Sequence, residues 1–149
     1  METKNKHHQN LVITDASGII SMVVETDTNH AAAKAFAKHH RNTGAAFYVP
    51  GELFAETLNL IGKKFSRGLA IDTGKLLLTE PSFVIGTTHA DRHAQALELF
   101  KNTPAGVSYT DCLVIVTADE HQTPYVFGFD GIFRQRGYIV PGSRMRTAA

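Results

Sequence analysis

Apolar positions along the chain fall into two spacings. Short continuous apolar runs, each bounded by turn residues, occur at Leu11–Asp15, Ala45–Val49, Pro81–Gly86 (its apolar centre Phe83-Val84-Ile85) and Tyr125–Phe129. Runs of that length predict strands buried on both faces of a parallel sheet. Longer segments between them carry helical periodicity. Ala16–Val24 predicts a short helix or turn. Asp27-Thr28-Asn29 supplies helix-start chemistry for a helix over His30–Arg41, with Ala31, Ala35 and Phe36 as apolar positions and Asn42-Thr43-Gly44 as its stop. Glu52–Lys64 is the clearest amphipathic segment, with Leu53, Phe54, Thr57, Leu58 and Ile61 on one face. Gly68–Leu78 predicts another helix.

Two later helices announce themselves by their first turns. Thr88 with Asp91, and Ser108 with Asp111, both have the spacing of a capping box. Ala94, Leu97 and Phe100 are the expected apolar face of the first. The second runs through Leu113, Val114 and Val116, whose β-branched content also suits a strand, but its cap favours a helix. A helical turn at Ile132–Gln135 and a last strand at Tyr138–Val140 complete the pattern. Strands alternating with helices predict an α/β fold, a parallel sheet covered by helices on both faces. One domain is expected over residues 10–142, with polar, flexible tails at 1–9 and 143–149.

Composition adds bounds rather than a function. The chain has 149 residues and 43% hydrophobic content, enough for one domain with a full core. Lys plus Arg is 15 and Asp plus Glu is 14, so net charge names no partner. Basic residues do cluster, at Lys63, Lys64 and Arg67 and at Arg134, Arg136, Arg144 and Arg146, where a polyanion could lie. The single cysteine, Cys112, rules out a disulfide framework or thiolate metal site within one chain and reads as a core residue. His7 and His8 stand in the polar N-terminal stretch and read as non-ligating. No apolar run approaches a membrane span and no signal peptide is visible, so a cytoplasmic protein is expected.

Candidate chemistry lies in the acids. Asp15 and Asp130 each end an apolar run, at the carboxyl end of a predicted strand, where open α/β sheets place their ligands. Glu56 and Asp111 stand in predicted helices. Each has a structural reading: Asp15 and Asp130 as helix caps, Asp111 as half of the box with Ser108, Glu56 as a solvated or lysine-paired residue. Brought together, however, buried carboxylates repel one another and require a cation. Oxygen donors without cysteine suit Mg²⁺ or Mn²⁺. No P-loop, G-x-G-x-x-G, H-E-x-x-H or G-x-S-x-G pattern is present. A carboxylate–metal site without a nucleotide cradle points to metal-assisted hydrolysis, most naturally of a phosphodiester.

Four motifs in order resemble the PIN-domain family, in its group of VapC-like toxin ribonucleases. Leu11-Val12-Ile13-Thr14-Asp15-Ala16-Ser17 resembles the opening strand with its Asp and hydroxyl residue. Tyr48-Val49-Pro50 with Glu52-Leu53-Phe54-Ala55-Glu56 resembles the second strand and the helix bearing the family's glutamate. Ser108-Tyr109-Thr110-Asp111-Cys112-Leu113 resembles the helix start bearing the third acid. Phe127-Gly128-Phe129-Asp130-Gly131-Ile132-Phe133 resembles the closing strand and fourth acid. The resemblance spans residues 11–140. It implies sheet order 3-2-1-4-5, a Mg²⁺- or Mn²⁺-dependent endoribonuclease, metal held by Asp15, Glu56, Asp111 and Asp130, and Ser17 supporting the site. It also implies an RNA substrate, a homodimer and a small antitoxin partner. Glu56 is preferred to Glu52 because it follows Leu53-Phe54-Ala55 in the family's manner. Asp119 and Glu120 read as solvated. Gly128 departs from the family, which often has Thr or Ser there, and so leaves open a catalytically silent PIN-like module binding RNA or protein. A DNA-directed nuclease would use the same metal chemistry. A phosphatase with an aspartyl nucleophile usually shows a second Asp two residues on, and position 17 is Ser.

Overall fold

The computed structural model describes residues 10–143. Elements alternate as β1 (Leu11–Thr14), α1 (Ala16–Val23), α2 (His30–Asn42), β2 (Ala46–Pro50), α3 (Gly51–Lys64), α4 (Arg67–Thr79), β3 (Phe83–Gly86), α5 (Ala90–Lys101), α6 (Tyr109–Glu120), β4 (Val126–Phe127) and α7 (Gly131–Gln135). All paired strands are parallel, in the order β3-β2-β1-β4. Their carboxyl ends therefore share one edge, and β1 and β4 are neighbours there, with Thr14 opposite Phe127.

Side chains alternate between two helical layers because successive strand residues point to opposite faces. Phe47 of β2 meets Phe127 of β4, which stacks on Phe36 of α2 with ring centroids 5.5 Å apart. The next residue, Tyr48, faces the other way. Its hydroxyl accepts from Arg92 of α5, and its ring meets His121 at the end of α6. Helices α1, α2, α3 and α4 form one run of packed neighbours, and α5 pairs with α6. Helix α6 is buried along Asp111–Ala118, so it is apolar on every side and shows no single apolar face. Cys112 lies in this core, as expected.

Several sequence expectations change. The last strand, Tyr138–Val140, is reduced to one parallel bridge between Tyr125 and Ile139, so among the described residues the order is 3-2-1-4 with residue 139 beside 125 where a fifth strand was expected. The strand expected at Tyr125–Phe129 is confined to Val126–Phe127, with Tyr125 in the single bridge, because the chain from Gly128 leaves the sheet to reach Asp130. Helix α5 is capped by His89, not Thr88, and no capping box forms there. The Thr88 hydroxyl donates instead to Glu52 Oε1 at 2.9 Å, a carboxylate 36 residues away. The apolar face expected for α5 is also reversed. Ala94, Leu97 and Phe100 are exposed, while Arg92 and Ala96 are buried. A guanidinium can occupy that inner position because Arg92 Nε donates to Glu120 Oε2 at 2.8 Å. In α2 Phe36 is buried as expected, but it is joined by Ala33, Ala37 and His40, while Ala31 and Ala35 are exposed. Ser143, expected to begin a tail, is tied to Val140 by two hydrogen bonds. The remaining tail residues, with His7, His8, Arg144 and Arg146, lie outside the described residues. No described helix is long and apolar enough to cross a membrane.

Candidate metal centre

The parallel sheet brings Asp15 and Asp130 to one edge, and α6 adds Asp111. One carboxylate oxygen from each of the three lies within 4.8 Å of the others. Asp15 follows β1 as the cap of α1. Its Oδ2 accepts from the Ser17 N–H at 3.1 Å and the Ser17 hydroxyl at 2.5 Å. Ser17 Oγ also accepts from the Phe129 N–H at 2.9 Å, which ties the start of α1 to the chain leaving β4. Asp111 closes the capping box expected for α6. Its Oδ2 accepts from the Ser108 N–H, and the Ser108 hydroxyl accepts from the Asp111 N–H, both at 3.0 Å. Asp130 precedes α7 without making a side-chain cap, so its carboxyl is not drawn into that helix start.

Helix-capping and a shared acidic site are therefore compatible. Capping fixes one oxygen of Asp15 and of Asp111, and fixed carboxylates cannot turn away from each other. The charge is accordingly unfinished. Burial is the main force pushing the Asp15 carboxyl up to about 6. The Ser17 hydrogen bonds oppose it, and the charges of Asp111 and Glu56 add to it. Asp130 is held well above the usual carboxylate range, first because it lies within hydrogen-bonding reach of Asp111, then by burial and by its acidic neighbours.

Glu56 lies outside the close trio but lines the same open cleft of about 320 Å³. Thr110 Oγ1 donates to Glu56 Oε1 at 3.2 Å. Burial and Asp111 push Glu56 upward against that bond. Glu52, one turn earlier, points to another network. His93 Nε2 meets its Oε2 at 3.1 Å, so of the two glutamates it is Glu56 that lines the cleft. Asp119 and Glu120, read as solvated, are both partnered: Asp119 accepts from the Tyr138 hydroxyl and Glu120 pairs with Arg92.

Asp27, Asn29, Thr110 and Lys64 also line the cleft. Asp27 was read only as helix-start chemistry, and its Oδ1 does accept from the Asn29 N–H at 2.8 Å. Its presence beside the acids depends on how the α1–α2 loop returns, which no local pattern reveals. Thr110 had a signal, a hydroxyl directly before Asp111. Of the basic residues singled out from the sequence, Lys64 lines this cleft, Arg134 lines an adjoining one that shares Asn29, Phe129 and Asp130, and Lys63 and Arg67 line a separate groove between α3 and α4.

Gly128 lies where backbone, ring and acid converge. A Cβ there would come within 2.8 Å of the Phe133 ring and 2.9 Å of the Asp15 Cβ. A hydroxyl-bearing side chain at 128 would displace both, and it is Ser17 that supplies the hydroxyl on Asp15.

The chain resembles a known solved structure over most of its length. The crystal structure of VapC20 of Mycobacterium tuberculosis, a sarcin–ricin loop cleaving toxin, superimposes with a TM-score of 0.74 at 16% identity, covering 86% of this chain and 96% of that one. No curated protein sequence matches it. The PIN domain family model matches residues 12–137. That span takes in all of the paired strands but Leu11 and every acid of the cleft, and the chain belongs to the PIN domain family.

Proposed function

We propose that the protein is a metal-dependent endoribonuclease of the VapC-like toxin type, acting at the cleft of Asp15, Asp111, Asp130 and Glu56. The observation that carries the reading is the convergence of three carboxylate oxygens within 4.8 Å, two of them on residues fixed by capping bonds. Such a donor set is hard, anionic and electrostatically incomplete, which fits Mg²⁺ or Mn²⁺. Asp15, Asp111 and Asp130 would hold the ion, with Glu56 as a further ligand from α3. A bound cation would polarise the phosphodiester and lower the pKa of an attacking water.

The chain's own residues do the positioning. Ser17 holds Asp15 and the Phe129 backbone together. The Ser108 box aims Asp111, and Thr110 orients Glu56. Lys64, at the rim of the same cleft, and Arg134, in the adjoining one, are suited to the RNA backbone. The solved relative, a sarcin–ricin loop cleaving toxin, supports RNA as the substrate class. The same reading extends to a homodimer, a small antitoxin partner and a cytoplasmic setting. A catalytically silent RNA- or protein-binding module competes, favoured by Gly128, which lacks the hydroxyl often found there.

The test is cleavage of single-stranded RNA, structured RNA and single-stranded DNA with Mn²⁺, Mg²⁺ or EDTA, comparing wild type with Asp15→Asn. The expected outcome is RNA cutting that needs the metal and is lost in the variant. Full activity of a clean Asp15→Asn preparation would overturn the assignment, and no cutting by folded wild type would favour the silent module.

A further inference from the structure

A second network stands beside the acid cleft and is not used by it. His93 of α5 is hydrogen-bonded through both ring nitrogens, Nδ1 with the Tyr109 hydroxyl at 2.6 Å and Nε2 with Glu52 Oε2 at 3.1 Å. Thr88 donates to the other Glu52 oxygen. Three elements thus hold one imidazole, yet its side chain is 37% exposed.

The two rings form a platform. The His93 and Tyr109 planes are parallel within 8° and their centroids are 6.0 Å apart. With nearly parallel planes, a 2.6 Å bond between their edges limits the step between planes to about that length. That is below the separation of stacked rings, roughly 3.5 Å. The rings therefore lie side by side as a stepped, near-continuous flat surface, not one on top of the other. Phe100 stands perpendicular to Tyr109 at 5.9 Å and braces it.

Its location follows from two rungs between α3 and α6. Thr110 bonds Glu56, and Tyr109 reaches Glu52 through His93. Glu52 and Glu56 are one helical turn apart, about 5.4 Å along α3. Ser108 and Thr110, on either side of Tyr109, both line the acid cleft.

We propose that the paired His93 and Tyr109 rings form a nucleobase-stacking subsite one helical turn along α3 from the acid cluster, seating the base of a nucleotide that adjoins the cleaved phosphodiester. The proposal rests on the nuclease reading for its substrate. Because both imidazole nitrogens are committed to protein partners, His93 offers its face and not its edge. The subsite would then require a base without choosing among bases, as stacking platforms for single strands do. Holding the ring at both edges also removes the ordering cost that a free side chain would bear on binding.

The experiment measures fluorescence anisotropy of labelled single-stranded RNA on Asp15→Asn protein in Mn²⁺. It compares an intact oligonucleotide with a series in which one abasic residue is moved along the strand. One abasic position should weaken binding by about tenfold or more. Adding Tyr109→Leu or His93→Gln should weaken binding of intact RNA similarly and leave binding of that abasic RNA unchanged. His93→Gln keeps hydrogen-bonding groups for Glu52 and Tyr109 while removing the ring, and Tyr109→Phe, which keeps the ring, should retain most of the affinity. Equal losses on intact and abasic RNA, or no sensitive position, would overturn the subsite. Failure of the nuclease reading looks different: no cleavage by wild type while Asp15→Asn still binds RNA with the abasic penalty. Absence of any RNA binding by the folded protein would overturn both.

Discussion

The Asp15 carboxyl is 3% exposed, accepts two hydrogen bonds from Ser17, and still sits at about 6 instead of 3.8. A carboxyl raised on folding binds its proton more tightly in the folded chain. Its contribution to stability is therefore present below about pH 4 and lost as pH rises through about 6. At pH 7.5 the metal-free protein would carry the full penalty, roughly 3 kcal/mol for a carboxyl pushed from its ordinary value up to about 6. A cation that binds only the folded state reverses it by mass action. Asp15→Asn should then raise the Tm of the EDTA-treated protein at pH 7.5 and remove the Tm increase that Mn²⁺ gives wild type. Calorimetry with and without metal checks both. A variant that loses stability in EDTA would show that the Asp15 charge is already balanced without a cation.

At the scale of elements, α1 lies so close to β4 that a Cβ on Gly18 would be driven into the Phe127 backbone and ring. A backbone cannot yield as a side chain can. Gly18→Ala should therefore cost about 1–3 kcal/mol, read as a lower midpoint in urea, and should weaken Mn²⁺ binding because α1 carries Ser17. The same closeness explains what the sequence could and could not disclose. Strand and helix order follow from apolar spacing, and α6 was legible from Ser108 and Asp111 because a capping box is local chemistry. Thr88 and Asp91 have that same spacing, but the Thr88 hydroxyl finds Glu52 across the fold, so the local rule yields to a distant partner. Helix α5 was turned the wrong way because Arg92 is buried through Glu120, 28 residues on. The fifth strand shrank to one bridge for want of pairing beyond Tyr125. Asp15, Asp111 and Asp130 were readable because each adjoins a strand end or helix start, whereas Glu56, inside α3, was singled out by its resemblance to the family's pattern. Asp27 and the Glu52–His93–Tyr109 network were not, since tertiary return paths alone bring Asp27 to the cleft and assemble the network beside it.

Across the molecule, α2 runs from the cleft, where His30 Nδ1 meets the Ser21 carbonyl at 2.8 Å, to the opposite end of the sheet at His40. His40 is 4% exposed, packed against Phe36 and Tyr125, and its Nε2 has no hydrogen-bond partner among the described residues. Burial, and then His39, pull it down to about 4. A histidine lowered on folding contributes stability above its unfolded value near 6.5 and loses it as pH falls toward 4. This is opposite in sign to Asp15. Between pH 4 and 6.5 His40 thus opposes the raised carboxyls of Asp15, Asp130 and Glu56, which together favour the metal-free fold toward acid. Asp15→Asn should reduce that acid-side gain and His40→Leu should enlarge it, as thermal melts across that range would record. The capping box adds a different kind of consequence. The carboxylate that would grip the cation is the one that begins α6, the helix threaded through the whole core. Ion occupancy and the opening of that first turn are then a single equilibrium. The Ser108 and Asp111 amides should exchange with deuterium more slowly as Mn²⁺ is added, a gauge of occupancy that needs no substrate at all.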